Sequence, residues 1–211
     1  MVVNRADSVK TETLQDWIED KFDFEISGDE KYRNGIVHRL DRDTSGVLVV
    51  AKTKEKFVEL QQQFKQRKVE KIYLALLHGK LEPREGVMQL PLGRNEANRK
   101  QFTVVAGGKL AETRWNVIKY LERAGQWYSL AELYPKTGRT HQLRVHLKHL
   151  NHPIVSDVFY LSKKRIKSDL DWCPRLFLHA SKLCFYLKGK KRCFEAELAG
   201  DLKTVLEKLG D

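Results

Sequence analysis

Apolar positions along the chain alternate between helical and strand spacing, with strands outnumbering helices. Leu14, Trp17 and Ile18 fall on one face of a helix predicted over Thr11 to Ile18. Val47-Leu48-Val49-Val50-Ala51 is an unbroken β-rich run, which predicts a strand covered on both faces. Lys54 to Lys68 is rich in helix formers and puts Phe57, Leu60 and Phe64 at helical spacing. Strand text resumes at Lys71 to Leu77 and ends at Gly79. Phe102 to Val105, a Gly107-Gly108 turn and Ala111 to Tyr120 predict a hairpin. Trp127 to Tyr134 predicts another strand.

A helix follows Gly138, with Thr140 as its cap and Leu143, Leu147 and Leu150 as its apolar stripe; Asn151-His152-Pro153 stops it. Ser162 to Lys167 is a basic tract predicted to be a loop. Strands are predicted at Leu176 to Ala180, Lys182 to Leu187 and Arg192 to Leu198. Asp201 caps a closing helix that turns Leu202, Val205, Leu206 and Leu209 inward. Many strands with few helices between them predict an α+β fold with a mixed, mainly antiparallel sheet and flanking helices. No composition break divides residues 1–211, so a single domain is expected.

The chain has 211 residues and is 41% hydrophobic, enough to bury a core. No apolar run reaches the roughly 18 residues of a membrane span, and no secretory signal is visible at Met1 to Arg5. A soluble cytoplasmic protein is expected. The formal net charge of +11 changes the picture more. Clustered Lys and Arg suit a polyanion, because each cation that meets a phosphate releases condensed counterions. Cys173, Cys184 and Cys193 form no Cys-x-x-Cys pair and are expected to be reduced, buried thiols.

Three stretches carry candidate chemistry. In His38-Arg39-Leu40-Asp41-Arg42-Asp43-Thr44-Ser45-Gly46 a carboxylate, Asp41, stands between two arginines. Nearby positive charge keeps such a group ionised. It is then a nucleophile or a base, or one half of a structural ion pair. Asp41 and Asp43 also spell a Mg²⁺ pair for a nuclease, although the adjacent arginines would repel the ion. Tyr73 stands in an apolar strand, either as packing or as a ring that stacks on a base with a hydroxyl for proton transfer. Gly138 to Leu147 holds Arg139, His141, Arg144 and His146 around a helix start, where phosphates bind. Arg144 could reach back to Asp41. His141, His146, His149 and His152 lack metal-binding His-Glu-x-x-His spacing.

Taken together, His38 to Gly46, Lys71-Ile72-Tyr73-Leu74-Ala75, Gly138 to Leu147 with His152 to Asp157, and Leu178-His179-Ala180 resemble, in order, the motifs of RNA pseudouridine synthases of the RluA type. The resemblance implies that a uridine is flipped from its stack, its glycosidic bond broken, the uracil turned, and C5 joined to C1′. It implies no metal or organic cofactor. It implies catalytic roles for Asp41 on the sugar, Tyr73 against the uracil and Arg144 as the charge partner of Asp41. Arg39 would fill the gap left by the flipped base, a step that costs a few kcal/mol. Arg139, His141 and the tract Lys163, Lys164, Arg165 are expected to contact RNA, namely an rRNA or tRNA stem-loop, with the protein acting as a monomer.

Two departures stand out. Arg5-Ala6-Asp7-Ser8 replaces the family's Lys-Pro-x-Gly turn, and Ser156 replaces a glycine before Asp157. No S4-type RNA-binding domain is expected before the catalytic part. The alternative is a non-catalytic RNA-binding module using the same basic cleft. Such a module needs the cleft but not the carboxylate.

Overall fold

One eight-stranded sheet organises the chain. The structure is a computed structural model that describes residue 3 and residues 11–210; the Arg5 to Ser8 departure lies outside the described residues. The strands are β1 (Ser45–Gly46), β2 (Glu70–His78), β3 (Glu85–Arg94), β4 (Phe102–Val104), β5 (Lys109–Arg123), β6 (Gln126–Pro135), β7 (Leu178–Leu187) and β8 (Lys190–Glu195). Their order across the sheet is β1-β7-β2-β6-β5-β3-β4, and β8 pairs with β7. Among the described residues only β1 and β7 pair in parallel, so the mixed, mainly antiparallel α+β sheet is as expected.

The α-helices among the described residues are α1 (Leu14–Lys21), α2 (Lys54–Lys65), α3 (Gln142–His149), α4 (Lys163–Leu170) and α5 (Gly200–Gly210). Thr13 caps α1 in a reciprocal box with Asp16, which satisfies two orphan amides. Ile18 is buried as predicted. Trp17 is more than a third exposed and meets Phe22 edge to face at 5.2 Å. Beneath α5 and α3, Leu202, Val205, Leu209, Leu143 and Leu147 close the main core with Leu76, Leu133 and Phe177.

Several predicted boundaries move, each for a physical reason. Val47 to Ala51 forms no ladder of its own; apart from one bridge, Ile36 to Val50, it is extended chain. Its side chains still go to both sides: Val47, Val49 and Ala51 join one apolar cluster, Leu48 and Val50 another. Phe102–Val104 and Lys109–Arg123 are not a hairpin, because β3 lies between them and pairs with both. That strand escapes sequence reading since it holds Gly86, Pro91 and Gly93, residues depleted from strands. β7 runs unbroken through Ser181, where a register shift opposite Ile72 and Tyr73 absorbs the irregularity.

The basic tract is helix, not loop. Ser162 caps α4 by accepting from Arg165 N, and Lys163, Lys164 and Arg165 form its first turn. Asp201 does not precede α5 but lies in its first turn, held by Arg175. Cys184 and Cys193 are not reduced thiols. They face each other across β7 and β8, with Cα atoms 4.1 Å apart, and form a disulfide. Nine residues of spacing carried no such signal until the register of the two strands was known. Cys173 is free and buried.

Candidate active site

The His38 to Gly46 loop is fixed at its far end. Ser45 and Gly46 pair in parallel with His179 and Ala180 on β7. Gly46 has φ +118°, and a Cβ there would lie 2.2 Å from the Ala180 carbonyl oxygen, so only glycine fits. Ser45 Oγ sits 2.9 Å from His179 Nδ1, which gives the Leu178-His179-Ala180 motif a physical task. Arg175 ties the same loop from outside. It donates to the Asp43 carbonyl at 3.0 Å and Ser45 Oγ at 3.1 Å while bound to Asp201. Nothing in the spacing of the sequence singles out Arg175. Arg42 is exposed.

At the near end of the loop, His38 stacks on Phe64 at 4.8 Å, and its Nε2 accepts from Val49 N at 3.1 Å. Burial, helped by the charge of Lys71, lowers the His38 pKa to about 4. Between the anchors, the Thr44 amide donates to the Asp41 carbonyl at 3.0 Å, closing a tight turn that presents Asp41.

Opposite Asp41 stands α3. Thr140 does not cap it. His141 occupies the N-cap with φ +54° and no side-chain cap bond. Gln142 organises the turn instead. Its Oε1 accepts from Arg139 N at 3.0 Å and Thr137 Oγ1 at 2.7 Å, and its Nε2 donates to the Glu112 carbonyl at 2.9 Å. Lys71 Nζ holds the same turn by donating to the Thr137 carbonyl at 3.0 Å, and burial lowers its pKa to about 8.

Arg144 projects from α3 between two carboxylates. Its Nε and Nη2 donate to Asp157 at 2.8 and 2.6 Å, and its Nη1 reaches Asp41 at 3.4 Å. Phe159 and Tyr160 stack over the guanidinium at 5.1 and 5.2 Å. The expected Asp41–Arg144 pair is present, but Arg144 is bound first to Asp157, which sequence reasoning left without a role. Ser156, just before it, has φ +58°, which explains a glycine preference there; its Oγ donates to the Cys173 carbonyl at 2.6 Å.

One pocket gathers these groups. Arg39, Asp41, Tyr73, Arg139 and His141 all line it, with Thr44 and Lys71. Tyr73 rises from β2 beside Asp41; burial first, and the Asp41 charge second, push its phenol pKa upward. Burial also lowers the pKa of His141, whose Nδ1 lies 2.9 Å from Tyr160 Oη. Arg39 and Arg139 are exposed at the rim. The Thr44 hydroxyl is buried and has no partner among the described residues. Lys163, Lys164 and Arg165 are not part of this pocket. Lys164 and Arg165 line grooves beside Gln126, on the part of the sheet where β2 ends. Among the described residues no three His, Cys, Asp or Glu side chains gather as metal ligands. No described helix is long and apolar enough to cross a membrane.

A family model described as RNA pseudouridylate synthase matches residues 1–149. A Chloroflexus aurantiacus protein named uncharacterized RNA pseudouridine synthase is 42% identical over 191 residues, 90% of this chain and 57% of the relative. The ribosomal large subunit pseudouridine synthase D of Nitrosomonas europaea is 40% identical over 83% of this chain and 51% of its own length. The dual-specificity RNA pseudouridine synthase RluA of Vibrio cholerae is 41% identical over 72% of this chain and 59% of its own. The chain thus spans between half and three fifths of the length of these relatives. The solved structure of human RNA pseudouridylate synthase domain containing 1 superposes with a TM-score of 0.71 at 29% identity, covering 86% of this chain and 78% of that one. On the match of motifs, fold and relatives together, this chain belongs to the RluA-type family of RNA pseudouridine synthases.

Proposed function

We propose that this chain isomerises uridine in structured RNA to pseudouridine. The observation that carries the reading is Asp41 set in the pocket wall beside Tyr73 and held from behind by Arg144. A carboxylate so placed meets the sugar of a nucleotide whose base lies on the tyrosine ring.

The steps balance within the substrate. The N1–C1′ bond breaks, the uracil turns, C5–C1′ forms, C5 releases its proton and N1 gains one. Asp41 acts at the sugar, either by attack on C1′ or as the base that gives a glycal. Arg144, whose Nη1 reaches it at 3.4 Å, holds it aimed at the pocket. Tyr73 supports the ring by stacking. Burial holds it as a phenol, so its part at C5 is a relay through the hydroxyl, not attack by a phenolate. No step calls for a metal or organic cofactor.

Arg39 at the rim takes the space the base leaves, where a planar guanidinium stacks well. Arg139 and His141 meet the RNA backbone at the pocket edge. The substrate class is an rRNA or tRNA stem-loop, acted on by a monomer in the cytoplasm. An RNA-binding module without activity would use the same rim, but has no need of Asp41 facing Tyr73.

Tritium release from 5-³H-uridine RNA in the presence of EDTA tests the reading. Release that persists in EDTA is expected. Binding without release, from rRNA and tRNA pools alike, would favour the non-catalytic module, and EDTA-sensitive strand cleavage would favour a nuclease.

A further inference from the structure

About 20 Å from Tyr73, six strand steps along β6 from its partner Leu133 at roughly 3.4 Å each, a second cationic surface surrounds an exposed tryptophan. Trp127 is the second residue of β6 and is 41% exposed. Lys80, from the turn after β2, places Nζ 3.5 Å from the centre of the indole ring. Arg165 of α4 lines the same groove with Asn151 and His152, and Lys164 lines the adjoining one with Gln126 and Ser162. Neither groove shares a lining residue with the Asp41 pocket.

The surface is built. α4 is fastened beneath it by Asp169, which is 2% exposed, lies 2.9 Å from His78 Nε2 and accepts from Ser156 N at 2.9 Å. Ser156 adjoins Asp157, the first partner of Arg144. The same segment therefore anchors the catalytic arginine and the helix that carries Lys163, Lys164 and Arg165. The carboxylate that fastens α4 is buried, whereas Lys80, Lys163, Lys164 and Arg165 are all exposed.

We infer that this surface is a second RNA subsite. It takes an unpaired stretch flanking the target stem-loop, with one base stacked on Trp127 and phosphates on Lys80, Lys164 and Arg165. The inference rests on the proposed reading of the Asp41 pocket as the uridine site. The chemistry fits single-stranded nucleic acid. An aromatic face accepts any base, and cations beside it follow the backbone. Lys80 fixes one side of the indole in advance, so less order is lost when a base arrives. A spacing of roughly 20 Å, six strand steps, is within reach of one folded RNA.

The test is equilibrium binding of two synthetic RNAs to the whole chain. One is a bare stem-loop with a uridine in the loop. The other is the same stem-loop with six-nucleotide single strands at both ends. The wild-type protein is expected to bind the extended RNA at least about fivefold more tightly. Trp127→Ala should remove that preference. Arg165→Gln should reduce it and lower the salt dependence of binding by about one phosphate contact. Trp127→Phe, which keeps a stacking ring, should restore most of it. An unchanged preference in Trp127→Ala and Arg165→Gln, or its absence from the wild type, would overturn the subsite. Because binding needs no turnover, a protein that never forms pseudouridine would contradict the catalytic reading without touching this result.

Discussion

Arg144 is bonded to Asp157 more closely than to Asp41, at 2.8 and 2.6 Å against 3.4 Å. The fork of the guanidinium is therefore fixed by a carboxylate that is 1% exposed and takes no part at the pocket. Its Nη1 is left to hold a carboxylate that does. A bidentate clamp sets orientation as well as charge. Arg144 thus reaches Asp41 from a fixed position.

Asp157→Asn should lower turnover by about a hundredfold, because a small misplacement of a charge partner loses that much. Stability should fall by on the order of 3 kcal/mol, the cost of breaking a buried ion pair from one side. Kinetics on a uridine-containing stem-loop, with thermal unfolding beside it, checks both. Turnover within about twofold of wild type would show that Asp41 alone orients Arg144.

Thr44→Val should separate stability from substrate affinity. The Thr44 hydroxyl is buried at the pocket without a partner among the described residues. A buried unsatisfied hydroxyl costs about 1–3 kcal/mol, and valine keeps its shape. The variant should melt higher and raise KM, consistent with a hydroxyl that waits for RNA. A lower melting temperature would show that the hydroxyl is already hydrogen-bonded in solution.

Acid should destabilise the fold before most carboxylates titrate. His38 and His146 both have pKa values lowered to about 4 by burial. Between about pH 6.5 and 4 the unfolded chain binds protons there that the native chain does not. Stability is therefore full above about pH 6.5 and falls as the pH falls through that window. His38 Nε2 must also stop accepting from Val49 N once protonated. The loss should reach up to about 3 kcal/mol per histidine. Denaturant titrations at pH 7.5 and 4.5 measure it, and equal midpoints would contradict it.

Much of this site was legible in the sequence, because a motif sets chemistry by residue type at close spacing. Asp41 between arginines, Tyr73 in its strand and Arg144 on the helix all meet at one place. Asp157 was not legible as a partner, since its bond to Arg144 depends on how the chain turns back after α3. Nor was Arg175, which reaches the loop across 132 residues. The fold class followed from counting strands. The β3 strand was hidden by Pro91 and two glycines, and α4 by the polarity of its first turn. Val47 to Ala51 read as a strand because its side chains do alternate between two apolar clusters; a ladder needs neighbours that the sequence does not name.

The central claim is that Asp41 performs chemistry while the basic rim performs binding. Pseudouridine formation and RNA affinity should therefore be measured side by side for Asp41→Asn, on an RNA the wild-type protein converts. Loss of all detectable product, with affinity changed by less than about tenfold, is the predicted result. Near-native product formation by Asp41→Asn would contradict the account.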